Sequence, residues 1–168
     1  TDRLDARTLA RLLASGELDA VWMPDRATWR MRRRLALRAQ LVSARSRAKN
    51  QIHAVLMRCL VGRAPFSDLF GVKGRAWLTE LGLPEEERET VDSALRQVDF
   101  LDREIGEVER LIASAALESP EIRRLMTVPG VNLIVAVTFL AAVGNIERFP
   151  DRRKLVAYLG LDPKVRQS

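Results

Sequence analysis

Residues 85–117 read EEERETVDSALRQVDFLDREIGEVERLIASAAL. A β-branched residue returns every seventh position, at Val91, Val98, Ile105 and Ile112. A second apolar series follows three residues behind each of these, at Ala94, Leu101, Val108 and Ala115. Four heptads of this a/d pattern predict one long helix with a narrow apolar seam and coiled-coil-like packing. Ser119-Pro120 ends it. A seam of this kind needs a partner, either another helix of the chain in an antiparallel hairpin or a second subunit.

Charge is segregated along the chain. The total is 28 basic and 22 acidic side chains, net +6. Residues 85–121 hold 12 acidic and 4 basic ones, whereas residues 26–67 hold 11 basic and none acidic. Pro24-Asp25 opens a second long helix there, running to about Leu60 with Asp25 as its cap. Met31, Leu35, Val42, Ile52, Leu56 and Leu60 form a broken apolar stripe. The remaining faces carry Arg30, Arg32, Arg33, Arg34 and Arg38 among others. With no carboxylate on the same helix, these arginines either contact nucleic-acid phosphates or pair with the acidic helix. His53 reads as a surface residue and Cys59 as core.

Between the two long helices, residues 62–84 form a Gly- and Pro-containing connection with one short helix around Trp77 and Leu78. Residues 126–168 follow the acidic helix: MTVPGVNLIVAVTFLAAVGNIERFPDRRKLVAYLGLDPKVRQS. Pro129-Gly130 makes a turn, an apolar run spans 131–143, Gly144-Asn145 breaks it, and Phe149-Pro150 begins a last helix that stops at Gly160. Helix, glycine hairpin and helix can hold a nucleic-acid backbone on outward N–H groups. The hairpin pattern asks for Gly-hydrophobic-Gly, and here it is Gly130-Val131-Asn132, with Asn132 expected to take the left-handed conformation. A plain structural turn is the equal alternative. Arg152, Arg153 and Lys154 open the last helix as phosphate contacts or as solvated residues, and Lys164 and Arg166 lie in a basic tail.

At the other end, residues 1–14 predict a helix with Leu4, Leu9, Leu12 and Leu13 as its apolar face, stopped by Gly16. Asp2 and Asp5 are three apart, so both carboxylates reach one side of the helix. They serve either the helix dipole or a hard cation such as Mg2+.

Two separated words of this sequence resemble one family. Val128-Pro129-Gly130-Val131, Phe149-Pro150, Arg153-Lys154-Leu155, Ala157-Tyr158-Leu159-Gly160-Leu161, Pro163 and Ser168 resemble the C-terminal domain of bacterial insertion-sequence transposases that pair four carboxylates with a serine, the bridge-RNA-guided recombinases. Thr1-Asp2-Arg3-Leu4-Asp5-Ala6 resembles the same family's last carboxylate pair. The resemblance implies that Ser168 is the DNA-attacking nucleophile and that Asp2 and Asp5 hold Mg2+. The two other carboxylates would belong to a RuvC-like domain ahead of Asp2. It implies DNA and a guide RNA as partners, a homo-oligomer through the coiled coil, and a cytoplasmic, nucleoid-associated protein.

The expected fold is mainly α. Residues 1–23 would end a RuvC-like domain, 24–120 form a two-helix coiled-coil spacer, and 121–168 form a truncated helix-hairpin-helix-like domain. The chain is expected to be a fragment of a longer enzyme. The alternative is a non-catalytic helical module that binds nucleic acid or dimerises. The uncharged run at residues 128–146 contains Pro129, two glycines and two asparagines and reads as a buried helix with a turn rather than a membrane span. One cysteine permits no intrachain disulfide.

Overall fold

The computed structural model describes residues 2–17 and 22–161, the side chains of Asp2 and Arg3 excepted. Among the described residues every regular element is helical, as expected for a mainly α chain. In chain order they are α1 (Asp2–Ser15), α2 (Arg26–Arg58), α3 (Val72–Glu80), α4 (Glu85–Ala116), α5 (Pro120–Leu125), α6 (Leu133–Val143), a 3-10 turn (Ile146–Arg148) and α7 (Arg152–Tyr158).

The seam of α4 finds its partner within the chain. α2 and α4 pack along their lengths, and partner numbers fall on α4 as they rise on α2: Arg38 meets Glu109, Arg45 meets Asp102 and Arg58 meets Glu87. The hairpin is therefore antiparallel, and the basic helix faces the acidic one. Val91, Ala94, Val98, Ile105, Val108 and Ile112 are buried as the heptad predicts. The fourth heptad departs from it, because Ala116 is buried and Ala115 is exposed. A straight helix drifts about 20° per heptad from a strict seven-residue repeat. At this end α4 also turns toward α5 and α6, whose Ile122, Ala136 and Val137 share a cluster with Ala116.

Two clusters hold the hairpin. The far one joins Ile52, Val55 and Leu56 of α2 to Leu78 of α3 and to Val91 and Ala94 of α4. Cys59 packs against it, partly buried. Gly74 is required there, since a Cβ would overlap the Leu69 backbone. The near cluster joins Val108, Ile112 and Ala116 to Ile122, Ala136 and Val137, with Met31 and Leu35 of α2 against it. Leu60 does not continue the stripe of α2. It lies past the helix end at φ 52° and is 90% exposed, because the chain turns back there to enter the connection.

Two local expectations change. Asn132 is extended, at φ −86°, and its side chain caps α6 by accepting from the Val135 N–H at 3.0 Å. Gly130 alone takes the positive φ, 86°, so the turn needs no left-handed asparagine. The last helix begins at Arg152 rather than at Phe149-Pro150, because Asp151 accepts from the Lys154 N–H and caps it there.

Candidate nucleic-acid interface and catalytic ends

The arginines of α2 divide into two sets. Arg32, Arg34 and Arg38 point into the protein. Arg32 donates from Nε to the Ala141 carbonyl at 2.6 Å and from Nη2 to the Ala142 carbonyl at 3.1 Å. Arg34 donates to the Leu111 carbonyl at 2.9 Å, and Arg38 pairs with Glu109 at 2.6 Å. Farther along, Arg45 pairs with Asp102 and Arg58 with Glu87. The last pair raises the Arg58 pKa and lowers that of Glu87, chiefly through their hydrogen bond. The heptad step explains the set: Arg38 and Arg45 are seven apart, as are Asp102 and Glu109.

Arg26, Arg30 and Arg33 are exposed and lie along another face of the same helix. The Arg33 guanidinium sits 4.7 Å from the centre of the Trp29 ring, itself 52% exposed. None of the three has a carboxylate partner among the described residues. At the same end of the hairpin, α7 exposes Arg152, Arg153 and Lys154, and the turn before α6 exposes Gly130 and Asn132. These exposed cations on α2 and α7 have no carboxylate partner among the described residues, the kind of surface that suits phosphates. Arg26, Arg30 and Arg33 all belong to the basic segment 26–67 that the sequence marks out, with Arg26 seven residues before Arg33.

Positions 2 and 5 lie on α1, and the Asp5 side chain is exposed. Leu4, Leu9 and Leu13 are exposed as well, so α1 offers a leucine face that the described residues leave uncovered. Among the described residues no three His, Cys, Asp or Glu side chains gather as a metal site. Two carboxylates are hard oxygen donors of the type Mg2+ takes, but they do not complete its six-oxygen shell. Lys164, Arg166 and Ser168 lie outside the described residues.

The antiparallel hairpin has a topological consequence. The start of α2 and the end of α4 lie together, so the residues just before α2 and those around α7 meet at one end of the hairpin. Trp22, just before α2, packs on Gly144, just after α6.

Residues 122–168 match the model of the family described as Transposase IS116/IS110/IS902 family. The chain is 31% identical over 169 residues to the putative transposase y4qE of Sinorhizobium fredii, a match covering 100% of this chain and 40% of that protein. The likeness in residues 122–168 is to the IS116/IS110/IS902 transposases. The chain is 24% identical over 169 residues to the transposase for insertion sequence element IS1111A of Coxiella burnetii, covering 99% of this chain and 46% of that one. It is 27% identical over 138 residues to the transposase for IS1328 of Yersinia enterocolitica, covering 76% and 38%. The chain therefore spans less than half the length of these relatives. No solved structure matches it. No described helix is long and apolar enough to cross a membrane.

Proposed function

We propose that this chain is part of a DNA transposase that cuts and rejoins strands through a covalent phosphoserine at Ser168, with a guide RNA and DNA as partners. The observation that supports it most is the extent of the kinship. Similarity to transposases runs along the whole chain, and the family match covers residues 122–168, Ser168 included. In the step we infer, the Ser168 oxygen attacks a DNA phosphorus. The new O–P bond forms as the bond from phosphorus to one deoxyribose oxygen breaks. The serine proton leaves to solvent, and the released sugar oxygen takes a proton to become a hydroxyl. Rejoining reverses this, with a sugar hydroxyl of the strand to be joined displacing Ser168. The phosphodiester energy is kept in the enzyme-linked intermediate. Lys164 and Arg166, close to Ser168 in sequence, are suited to hold the phosphate oxygens. Asp2 and Asp5 would supply two of the oxygen donors to Mg2+, the others coming from a preceding RuvC-like domain. A cation bound there offsets charge on the scissile phosphate. The exposed arginines of α2 and the cations of α7 would hold nucleic-acid phosphates, and the chain would act as an oligomer.

Full-length protein with its guide RNA and DNA tests the reading by trapping protein–DNA adducts. The wild type is expected to form an adduct that maps to Ser168, Ser168→Ala none, and Asp5→Asn few or none with weakened Mn2+ binding. Mixing the two variants reads whether one site draws Ser168 and the carboxylates from two chains, since adducts then return. Adducts that persist in Ser168→Ala would overturn the nucleophile. If the wild type binds nucleic acid without forming adducts, the chain belongs to a non-catalytic binding module.

A further inference from the structure

The last carbonyls of α6 are capped by side chains from α2, from α7 and from the turn that follows α6. A helix end leaves its final carbonyls without intrahelical donors. Here the Gly144 N–H donates to Leu140 at 2.7 Å, Arg32 of α2 reaches Ala141 and Ala142, and the Tyr158 hydroxyl of α7 reaches Ala142 at 3.2 Å. Arg148 donates from Nε to Val143 at 2.9 Å. Its guanidinium carbon lies 4.4 Å from the Trp22 ring centre, 4.1 Å from that of Phe149 and 4.4 Å from that of Tyr158. Gly144, at φ 65°, lets the Trp22 ring close down, since a Cβ there would overlap it.

Arg148 has no carboxylate partner among the described residues, and its Nη2 is buried without a hydrogen-bond partner. Its charge is held instead by three aromatic faces and the negative end of α6. A planar guanidinium can stack on rings while donating along its edge, which an ammonium cannot do. Trp22, Arg148, Phe149 and Tyr158 belong to neither of the two clusters that hold the hairpin. They tie together two ends of the chain: Trp22 follows Asp5 by 17 residues, and Tyr158 precedes Ser168 by 10.

We propose that Arg148 is a positioning residue, locking Trp22, just ahead of α2, and Tyr158 of α7, ahead of Ser168 in the chain, onto the end of α6. This rests on the phosphoserine reading for its effect on chemistry, but not for the lock itself. The test uses full-length protein with guide RNA and DNA, and compares wild type with Arg148→Gln, Arg148→Lys, Trp22→Ala and Trp22→Phe. The single-turnover rate of Ser168 adduct formation is expected to fall on the order of 10–100-fold in Arg148→Gln and Trp22→Ala, the scale of a small misplacement of reacting groups. Arg148→Lys should not restore it, whereas Trp22→Phe, which keeps an aromatic face, should recover most of it. DNA affinity and melting temperature should stay near wild type. A second measurement reads the lock directly, through the distance distribution between spin labels at the exposed positions 23 and 161. It should be narrow in the wild type and broad in Arg148→Gln. An unchanged adduct rate, or a loss that merely follows lost folding or DNA affinity, would overturn the positioning role. If the wild type forms no Ser168 adduct, the phosphoserine reading fails and the label distances decide the lock by themselves. A distribution as narrow in Arg148→Gln as in the wild type would then reject it.

Discussion

Asp25 shows how one side chain sets a long element. It is extended, at φ −63° and ψ 169°, and its carboxylate accepts from the Thr28 N–H at 2.6 Å, closing the N-terminus of the 33-residue α2. That hydrogen bond lowers its pKa from the ordinary 3.8. Since the folded value is depressed, the cap's stabilisation is complete above 3.8 and is lost as pH falls through the lower folded value. Asp25→Ala should therefore lower the denaturation midpoint at neutral pH and converge with wild type in acid. Asp25→Asn, which keeps a capping oxygen, should cost less and respond less to pH. Urea melts of the three proteins across the acid range check this, and a gap that stays constant in acid would contradict it. The cap was legible from Pro24-Asp25 before an arginine-rich helix, because capping is local chemistry.

For the hairpin the informative comparison is between residues on and off the true seam of α4. Ile112 is fully buried against α2, α5 and α6, whereas Ala115 is exposed although the heptad puts it at the interface. Ile112→Ala should cost about 2–5 kcal/mol, the range for deleting a buried aliphatic side chain. Ala115→Ser should stay within about 0.5 kcal/mol, as for a surface substitution. Chemical denaturation separates the two, and equal costs would show the seam running through position 115 after all. The first three heptads were readable because their period is a property of the helix alone. The fourth was not, because α5 and α6 arrive from later in the chain and redirect that end of α4.

At the scale of the whole molecule, the two sets of arginines divide the work of the +6 charge. Those facing α4 and α6 are joined to carboxylates and carbonyls, and Arg26, Arg30 and Arg33 on the outer face have no carboxylate partner among the described residues. Neutralising Arg30 and Arg33 together should weaken nucleic-acid binding by the full-length protein. It should also flatten the plot of log affinity against log salt by about 1.8, roughly 0.9 for each phosphate contact on duplex DNA. Neutralising Arg34 and Arg38 should chiefly lower the melting temperature and leave the slope near wild type. Fluorescence anisotropy at several salt concentrations distinguishes them. A slope that changes equally in both pairs would remove the division.

The amino-acid sequence by itself determined the helical class, the two long helices, the seam through Val91, Val98, Ile105 and Ile112, the cap at Asp25 and the stop of α4 at Ser119-Pro120. Each follows from periodicity or from hydrogen bonds spanning three or four residues. It also carried the opposite charges of α2 and α4, but left open whether they meet. The tertiary structure decided that they do, and so which arginines remain exposed. It alone brought Trp22 onto Gly144 and Arg148 between three rings. No local pattern marks that junction, because its parts lie more than 120 residues apart and become neighbours only when the antiparallel hairpin returns the chain to its starting end.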